Sequence, residues 1–364
     1  MKKKQILWIL PNYNFYNIQR LNLLHSFFDI LVMAGKQNDK LGFKTGKVVS
    51  KSEVIYVDKH KKEFWRSLKV IKLILKNLKD KDFVYLAVEN KNLVILLVLL
   101  FYRRLKSLKF KIFSYNHMYL KSGNKYVAKI NKLLTRFYFN KLDIIIFYTQ
   151  KSCETALEQK IISPEKAFWA NNTIDTNEVK KYYEFIPPPA NPSILFIGRL
   201  IPSKRVGDLI KYFDSLKSVI PKLKLEIIGD GPDKNIVEEA ASKDENITWH
   251  GAIIDEQYIA PIMARNSIVF IPGLSGLSIN HAFAYGRPYI TLIADKHGPE
   301  ISYITQGENG YVLNNKFQEN IDKITDLLNN NEKLLEFSLK AKSKGEDLSV
   351  EKWVQQVKHI LQSA

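Results

Sequence analysis

The stretch from Ser193 to Leu313 repeats one pattern: a short β-branched and apolar run, then a glycine turn, then residues with helical spacing. The apolar runs Ile194–Ile197, Leu225–Ile228 and Ile268–Ile271 each end at Gly or Pro-Gly. Strands that alternate with helices predict a parallel sheet with helices on both faces. Ligands of such sheets bind beyond the carboxyl ends of the strands. The residues expected at these ends are Arg199, Lys204, Gly273, Gly276 and His281.

The length and one proline-rich segment indicate two domains. A chain of 364 residues is longer than one ordinary domain and fits two. The segment Phe185–Pro192 contains three consecutive prolines, which cannot continue a helix or a central strand. We therefore predict a first domain of residues 1–186 and a second of residues 187–346. The first domain is also predicted to have an α/β fold. Its predicted strands are Gln5–Leu10, Ile30–Met33, Val54–Val57, Phe83–Val88, Phe110–Tyr115 and Asp143–Tyr148.

Several classes of protein are excluded by what the sequence lacks. The single cysteine, Cys153, excludes internal disulfides, as expected of a cytoplasmic protein. The longest apolar run, Leu93–Tyr102, is shorter than the ~18 residues that span a bilayer. The run Ile6–Leu10 is too short for the apolar core of a signal peptide. The sequence has no Cys-x-x-Cys, no His-Glu-x-x-His and no convincing Asp-x-Asp at a strand end, so we predict no metal.

The whole chain has a net charge of +18, and the positive charge is concentrated in its first half. Residues 1–190 contain 35 Lys and Arg against 15 Asp and Glu, whereas residues 191–364 contain 20 and 22. A general lysine bias leaves the neutral second half unexplained. An anionic partner of the first half is therefore indicated: membrane lipid, a pyrophosphate-linked acceptor or nucleic acid. Because no RNA-binding or helix-turn-helix signature accompanies the charge, we predict no nucleic-acid partner.

Two segments of the first domain are candidates for contact with a membrane surface. In Lys59–Lys79, apolar residues including Phe64 and Trp65 recur at helical spacing with lysines between them. Such a helix can lie in an anionic membrane interface, and it can equally pack on the sheet as an ordinary surface helix. Leu93–Tyr102 and the basic residues after it leave the same two possibilities, of which a buried helix with a basic end is favoured.

The motifs of the second half resemble the donor-binding domain of the retaining, GT-B-fold glycosyltransferases of family 4, the glycosyl transferases group 1. The resemblance rests on five pieces in the family's order and spacing: Gly198-Arg199-Leu200 with Lys204, Gly229-Asp230-Gly231-Pro232, the Pro272–Pro288 segment, Pro299-Glu300, and Gly307-Glu308-Asn309-Gly310.

The resemblance implies a GT-B fold, in which two Rossmann-like α/β domains face each other across a cleft. The last helix, within residues 347–364, is expected to return to the first domain. The implied activity is a metal-independent, retaining transfer of a hexosyl or N-acetylhexosaminyl group. The donor is a nucleotide-sugar, and the acceptor is a lipid-linked or saccharide molecule of surface-polysaccharide biosynthesis. Together with the basic first domain, this predicts a cytoplasmic protein, peripheral on the inner face of the cytoplasmic membrane.

The charge of the leaving nucleoside diphosphate suggests which residues are catalytic. Without a metal, cations and oriented amides must stabilise it. Arg199 at a strand end and Lys204 in the following turn can supply two positive charges. The helix start Gly276-Leu277-Ser278 can supply N–H groups and the helix dipole. Gly198 and Ser275 adjoin these positions and are expected to contact the donor as well.

This chain departs from the family at two glutamates. In typical members, one glutamate touches the donor sugar, and a second, after seven intervening residues, touches the ribose hydroxyls. Alignment on Ala282–Gly286 puts Gly273 at the first position and His281 at the second. A neutral histidine can accept a hydrogen bond from a hydroxyl. We therefore expect His281 to replace the second glutamate and the Gly273 backbone to approach the sugar; the alternative is that His281 is a packed helix residue.

The resemblance places four further residues at the site. Glu300 is expected near the donor, although a position at a helix start would also explain it. Gly251 and Ile253 are expected to line the nucleobase pocket through backbone contacts. His117 is expected in the acceptor half as a catalytic residue, with a structural histidine as the alternative. The missing glutamates leave open a second function, a nucleotide-sugar-binding protein that has lost catalysis.

Overall fold

The computed structural model of the chain describes residues 2–10, 15–35, 50–57, 68–118, 125–294 and 296–364. The chain forms two compact units. Unit 1 consists of Met1–Asn171 and Glu351–Ala364, and unit 2 of Asn172–Val350. Each unit is built on a parallel β-sheet, as the alternation of strands and helices predicts.

Unit 1 contains a seven-stranded parallel sheet with the strand order β3-β2-β1-β4-β5-β6-β7. The strands are β1 (Gln5–Leu10), β2 (Asp29–Gly35), β3 (Glu53–Val57), β4 (Phe83–Tyr85), β5 (Lys111–Asn116), β6 (Ile144–Phe147) and β7 (Ala167–Trp169). Successive side chains of a strand point to opposite faces. Leu7 and Ile9 of β1 accordingly lie in one core and Ile6, Trp8 and Leu10 in another, so apolar packing covers both faces.

Helices cover the two faces of this sheet. They are α1 (Phe15–Leu24), α2 (Leu68–Lys76), α3 (Leu93–Leu105), α4 (Lys125–Lys141), α5 (Gln150–Glu158) and, at the end of the chain, α13 (Val350–Ser363). Buried residues of α2, α3, α4 and α5 belong to one core, and those of α1 and α13 belong to the other. Helices α2 to α5 therefore lie on one face of the sheet, and α1 and α13 lie on the opposite face.

The last helix returns to unit 1, as predicted. Trp353 is 1% exposed and packs edge-on against Tyr115, with 5.7 Å between the ring centroids. Val354 and Val357 lie in the same core. The amphipathic pattern of the last residues is thus explained by burial against the first sheet.

Unit 2 contains a six-stranded parallel sheet with the order β10-β9-β8-β11-β12-β13. The strands are β8 (Ser193–Ile197), β9 (Lys224–Ile228), β10 (Ile247–Trp249), β11 (Ile268–Phe270), β12 (Tyr289–Leu292) and β13 (Gly310–Leu313). The helices are α6 (Thr176–Tyr182), α7 (Val206–Val219), α8 (Lys234–Lys243), α9 (Glu256–Ala264), α10 (Leu277–Ala284), α11 (Phe317–Asn329) and α12 (Asn331–Asp347). The three apolar runs of the opening pattern form β8, β9 and β11, and every residue of β8 and β11 is buried.

The boundary between the units differs from the prediction. The division falls between Asn171 and Asn172, and the proline-rich segment Phe185–Pro192 lies inside unit 2. The backbone N–H of Asn172 donates to the Tyr303 hydroxyl at 2.9 Å, and the Thr173 hydroxyl donates to a carbonyl of unit 2 at 2.6 Å. Buried hydrogen bonds therefore tie this segment to unit 2, and the prolines stiffen a connection within the unit.

The described part of the predicted Lys59–Lys79 helix is an ordinary surface helix. It begins at Leu68, and Phe64 and Trp65 lie outside the described residues. Val70 and Ile74 of α2 are buried in the core of unit 1, whereas its lysines are exposed. Of the two possibilities that the sequence leaves open for this segment, the structure supports packing on the sheet. Within the ranges given above, none of the helices has both the length and the apolar character needed to cross a membrane.

Candidate functional site

The predicted site residues of unit 2 meet at the carboxyl edge of its sheet. β8 and β11 are neighbours, and the chain leaves them in opposite directions, toward β9 and β12. The turn after β8 carries Gly198, Arg199 and Lys204, and the turn after β11 carries Gly273 and the residues up to Ser278. Connections that diverge from two adjacent parallel strands leave a crevice at this edge, the usual ligand position in open α/β sheets.

Backbone hydrogen bonds join these two turns. The N–H of Gly273 donates to the carbonyl of Lys204 at 3.2 Å, and the N–H of Leu274 donates to that of Ser203 at 2.7 Å. A Cβ atom on Gly273 would lie 2.1 Å from the Ser203 carbonyl oxygen. Glycine at position 273 is therefore explained by close packing of the two turns. The predicted approach of its backbone to a sugar stays a prediction.

Lys204 places a half-buried ammonium group between the turns. Its Nζ donates to the carbonyl of Leu274 at 2.6 Å. Burial lowers the pKa of Lys204 to about 8, and the charge of Arg199 acts in the same direction. None of the described carboxylates contributes to this pKa. A bound anion would supply the missing negative charge and raise the pKa again.

The position of Arg199 is fixed through its neighbours. The N–H of Gly198 donates to the carbonyl of Ile228 at 3.0 Å, and that of Leu200 donates to the carbonyl of Asp230 at 2.9 Å. The Arg199 side chain itself is exposed. Arg199 and Lys204 therefore form a pair of cations, one exposed and one half-buried. Arg205 differs, because its Nε donates to Asp208 at 2.5 Å in an ion pair.

Ser275 is held inside unit 2 by hydrogen bonds to its neighbours. It is 1% exposed, and its hydroxyl donates to the carbonyl of Gly273 at 3.1 Å and accepts from Tyr289 at 2.9 Å. Its N–H donates to Nδ1 of His297 at 3.1 Å, and Nε2 of His297 donates to the carbonyl of Leu292 at 2.9 Å. These contacts support the turn after β11, and the predicted contact of Ser275 with the donor stays a prediction.

His297 is a neutral histidine beside the site that sequence reasoning did not select. Burial lowers the pKa of His297, and the charge of Lys204 also lowers it, against the hydrogen bond to Leu292. The hydrogen bonds fix the tautomer with the proton on Nε2. Its place directly before Gly298-Pro299-Glu300 was the available signal.

A protein carboxylate lies at the amino terminus of α10. Gly276 precedes the helix, and the Ser278 hydroxyl lies 2.8 Å from the Tyr289 hydroxyl. Glu300 is 3% exposed, and its Oε1 accepts from Nδ2 of Asn172 at 2.6 Å. Its Oε2 lies 3.5 Å from the position that a Cβ atom on Gly276 would take. The carboxylate charge is favourable at this end of the helix dipole, which is the structural alternative for Glu300, and its predicted position near the donor stays a prediction. Leu277 is 37% exposed.

His281 has an acidic partner within unit 2. Its Nε2 lies 2.9 Å from Oε1 of Glu256, and the Tyr285 hydroxyl donates to Oε2 of Glu256 at 2.6 Å. Burial lowers the pKa of His281, but the charge and hydrogen bond of Glu256 outweigh it and raise the pKa above its ordinary value. Burial raises the pKa of Glu256, but the charge and hydrogen bonds of His281 and Tyr285 lower it below its ordinary value.

The carboxylate of Glu256 engages Nε2 of His281, and the predicted contact of His281 with the ribose hydroxyls of the donor stays a prediction. The hydrogen-bond acceptor at this place is the carboxylate of Glu256, which sequence reasoning missed. Glu256 is 25 residues from His281 along the chain, and no local spacing signals that the two meet.

Gly251 lies beside the glycine turn after β9. Its φ of +68° is left-handed, and its carbonyl accepts from the N–H of Gly229 at 2.7 Å. Ile253 is half-buried against the core, whereas Ile254 is 66% exposed. The segment thus leads from β10 to α9 along the carboxyl edge of the sheet, and its contact with a nucleobase stays a prediction.

His117 follows β5 at the carboxyl edge of the sheet of unit 1. Its ring packs edge-on against Tyr148, with 4.5 Å between the ring centroids. Its carbonyl accepts from Nδ2 of Asn116 at 2.7 Å. His117 is half-buried and thus has structural contacts; its predicted catalytic role stays a prediction.

The comparisons with known proteins agree with the fold. Residues 191–330 match the family model described as "Glycosyl transferases group 1". The chain is 24% identical over 209 residues to the poly(ribitol-phosphate) alpha-N-acetylglucosaminyltransferase of Staphylococcus aureus (strain COL). That match covers 56% of this chain and 40% of the relative, so the chain spans less than half the length of this relative.

Two solved structures are similar over the whole chain. A glycosyltransferase from Rickettsia africae ESF-5 has a TM-score of 0.72 at 15% identity, and the match covers 100% of this chain and 99% of that one. Anabaena HepE, solved in complex with UDP and glucose, has a TM-score of 0.66 at 17% identity and full coverage of both chains. The predicted GT-B fold is thereby confirmed. The family match and the curated relative support a glycosyltransferase enzyme.

Proposed function

We propose that the chain is a glycosyltransferase that moves a sugar from a nucleotide-sugar to an acceptor of surface glycopolymer biosynthesis. The observation that carries this proposal is the half-buried ammonium of Lys204, held at the carboxyl edge of the unit 2 sheet beside Arg199. Burial and the positive charge of Arg199 both disfavour the charged form of Lys204, so a bound anion would stabilise it. A nucleoside diphosphate is the anion expected in a domain of this kind.

In the proposed reaction, the bond between the anomeric carbon and the β-phosphate oxygen breaks. The acceptor hydroxyl oxygen forms the new bond to the anomeric carbon on the same face, and its proton passes to the departing phosphate. Arg199 and Lys204 stabilise the negative charge that develops on the diphosphate. In many enzymes, stabilisation of this kind by groups already in position supplies most of the rate enhancement. We assign His117 to the acceptor side.

Retention of configuration and independence from metal are part of the proposal. In the part of the chain that the structure describes, no group of three or more His, Cys, Asp or Glu side chains could hold a metal ion. The configuration of the product, read by proton NMR at the anomeric position, tests retention. Full activity after treatment with EDTA supports metal independence, and activity that returns only with Mg²⁺ or Mn²⁺ contradicts it.

The relatives suggest the substrates to test first. One solved neighbour contains UDP and glucose, and the curated relative is named for transfer to poly(ribitol-phosphate). A phosphate-rich polymer or a lipid-linked acceptor at an anionic membrane would both complement the basic residues 1–190. We therefore propose a saccharide, polyol-phosphate or lipid-linked acceptor, with unit 1 peripheral on the membrane.

The test measures release of nucleotide from UDP-, GDP-, ADP-, CMP- and dTDP-sugars by the full chain, with and without these acceptors. Lys204→Ala and Arg199→Ala should each reduce turnover by roughly 10²–10³-fold. Lys222→Ala removes an exposed lysine of unit 2 and serves as the matched control. Nucleotide binding without turnover for any pair would favour the alternative, a binding protein that has lost catalysis. Absence of nucleotide binding would contradict both.

A further inference from the structure

Helix α3 has an apolar stripe on its exposed side. Its buried side supplies Ile95, Leu96 and Leu99 to the core. On the exposed side, the fractional exposures are 49% for Val94, 48% for Leu97, 68% for Phe101 and 61% for Leu105. Because residues three and four apart are neighbours on a helix surface, these four side chains form one continuous row.

Helix α4 repeats this feature on the same face of the sheet. Ile130, Leu133 and Phe137 are 58%, 64% and 36% exposed and follow the same helical spacing. Hydrogen bonds fix α4 beside the start of α3. Nδ2 of Asn90 donates to Oδ1 of Asn131 at 3.1 Å, and the Tyr138 hydroxyl donates to the carbonyl of Glu89 at 2.7 Å.

The exposed apolar residues of unit 1 are concentrated at this place. Eight of the nine large apolar side chains that are exposed in the described part of unit 1 lie on α2, α3 and α4; the ninth is Tyr56. Scattered exposed apolar residues are normal, but contiguous ones on neighbouring helices mark an interaction surface.

The chain segment that carries these stripes is strongly basic. No Asp or Glu occurs between Glu89 and Asp143, whereas the same segment contains twelve Lys and Arg. The exposed cations include Arg104, Lys106, Lys109, Lys132 and Arg136. We define the basic apolar face as the two apolar stripes of α3 and α4 together with these five cations.

We propose that the basic apolar face docks on an anionic lipid bilayer. The apolar stripes would enter the boundary between headgroups and acyl chains, and the cations would lie at the anionic headgroups. This inference specifies the site of the membrane association that belongs to the proposed function. It moves that site from the predicted Lys59–Lys79 helix, whose described part uses its apolar side in the core, to α3 and α4.

Charge argues against two other occupants. A twofold contact with a second copy would bring the same surface patch of each subunit together. Here it would oppose like charges, because the segment supplies no acidic partner. A nucleic acid offers phosphates to the cations but no hydrocarbon to the exposed Leu and Phe side chains. A lipid bilayer is the partner that supplies both.

The first experiment measures co-sedimentation of the full chain with vesicles of phosphatidylglycerol and phosphatidylcholine, and with phosphatidylcholine alone. We expect binding only to the anionic vesicles. Leu97→Gln combined with Phe101→Gln should reduce the partition coefficient by about tenfold or more. The matched control is Val219→Gln with Leu339→Gln, which changes two similarly exposed apolar residues of unit 2 and should leave binding within about twofold.

A second pair of variants tests the cations at equal net charge. Lys132→Glu with Arg136→Glu should also reduce binding by about tenfold or more. Lys222→Glu with Lys340→Glu changes the charge of unit 2 by the same amount and should have a smaller effect. Equal losses in both pairs would mean that only net charge matters and would overturn the assignment of this face.

Insertion is tested with a spin label in a Cys153→Ser background, because Cys153 is the sole cysteine. A label at Phe101→Cys should become less accessible to water-soluble relaxation agents on vesicles, and one at Leu339→Cys should not. Equal accessibility at both positions would overturn insertion. If the chain forms dimers in solution, and the double variant Leu97→Gln with Phe101→Gln does not, the lipid assignment is overturned. None of these measurements requires activity, so failure of this inference is distinguishable from failure of the proposed transferase.

Discussion

The Nζ atom of Lys204 lies 2.6 Å from the carbonyl oxygen of Leu274, so a cation in the turn after β8 is anchored to the turn after β11. The backbones of the same two turns are joined by hydrogen bonds from Gly273 and Leu274. The ammonium is therefore positioned before any anion binds. A charge held in place in this way costs no reorganisation when the leaving group departs.

Affinity for a nucleoside diphosphate should fall at alkaline pH. Burial, assisted by Arg199, lowers the pKa of Lys204 to about 8, and the group is charged below that value. As pH rises above 8, the free protein loses this charge, and the loss of affinity should approach about tenfold per pH unit. Titration calorimetry between pH 6.5 and pH 9.5 measures it. Lys204→Arg, which stays charged, should flatten the profile. A profile equally steep in that variant would show that another group titrates.

Gly273→Ala should destabilise unit 2. Its Cβ atom would lie 2.1 Å from the Ser203 carbonyl oxygen, and a backbone atom cannot move aside as a flexible side chain can. Overpacking of this kind costs about 1–3 kcal/mol. Gly207→Ala is the matched control, because nothing lies within 4 Å of the added atom and the position is helical. Thermal unfolding of the two variants compares them. An unchanged midpoint for Gly273→Ala would show that the two turns are not packed this closely.

The Glu256–His281 ion pair should give a pH-dependent contribution to stability. The raised pKa of His281 stabilises the fold fully below its ordinary value of 6.5, and this contribution is lost as pH rises through the raised pKa. The lowered pKa of Glu256 stabilises the fold above its ordinary value of 4.5, and this contribution is lost as pH falls through the lowered pKa. The pair should therefore contribute most between pH 4.5 and pH 6.5.

Thermal unfolding of the native chain and of Glu256→Gln between pH 4 and pH 9 tests this window. Removing one partner of a buried pair costs about 3–5 kcal/mol, so the difference in midpoint should be largest near pH 5.5 and shrink on both sides. Glu245→Gln changes an exposed carboxylate of the same unit and is the control. Its difference in midpoint from the native chain should not depend on pH. A constant difference across the range would contradict the assignment of an ion pair.

His117 and His281 should differ in the kinetic parameter that they change. His117→Ala should lower kcat by roughly 10²-fold if the imidazole assists proton movement. His281→Ala should act through Glu256 on donor binding, with a two- to tenfold rise in KM, the size of about one hydrogen bond. Donor saturation at fixed, saturating acceptor separates the two parameters. The reverse pattern would mean that the acceptor and donor sides are assigned the wrong way round, and no change in either would make both histidines structural.

Much of unit 2 could be predicted from the sequence, because its signals are local. The apolar runs that form β8, β9 and β11 are continuous, as buried parallel strands require, and their glycine turns mark the carboxyl edge of the sheet. The return of the last helix is likewise predicted through the family resemblance, and Trp353 confirms it by its burial.

Features that depend on contacts distant in the chain could not be predicted. Glu256 meets His281 only because α9 and α10 pack side by side, and no residue spacing signals this. The proline-rich segment gave the wrong boundary, because buried hydrogen bonds of Asn172 and Thr173 assign the residues before it to unit 2. The exposed stripe of α3 has the same composition as a buried helix, and exposure of Phe101 is visible only in the fold.

In the proposed function, Arg199 and Lys204 bind the diphosphate of a nucleotide-sugar. The most direct measurement is the thermal shift of the full chain with UDP, GDP, ADP, CMP and dTDP, repeated on Arg199→Ala, Lys204→Ala and the control Lys222→Ala. One nucleoside diphosphate at 100 times its dissociation constant should stabilise the native chain and the control by about 2.7 kcal/mol. At the same concentration, both site variants should lose most of that shift. No shift with any nucleotide, or an equal shift in all four proteins, would contradict this role of the two cations.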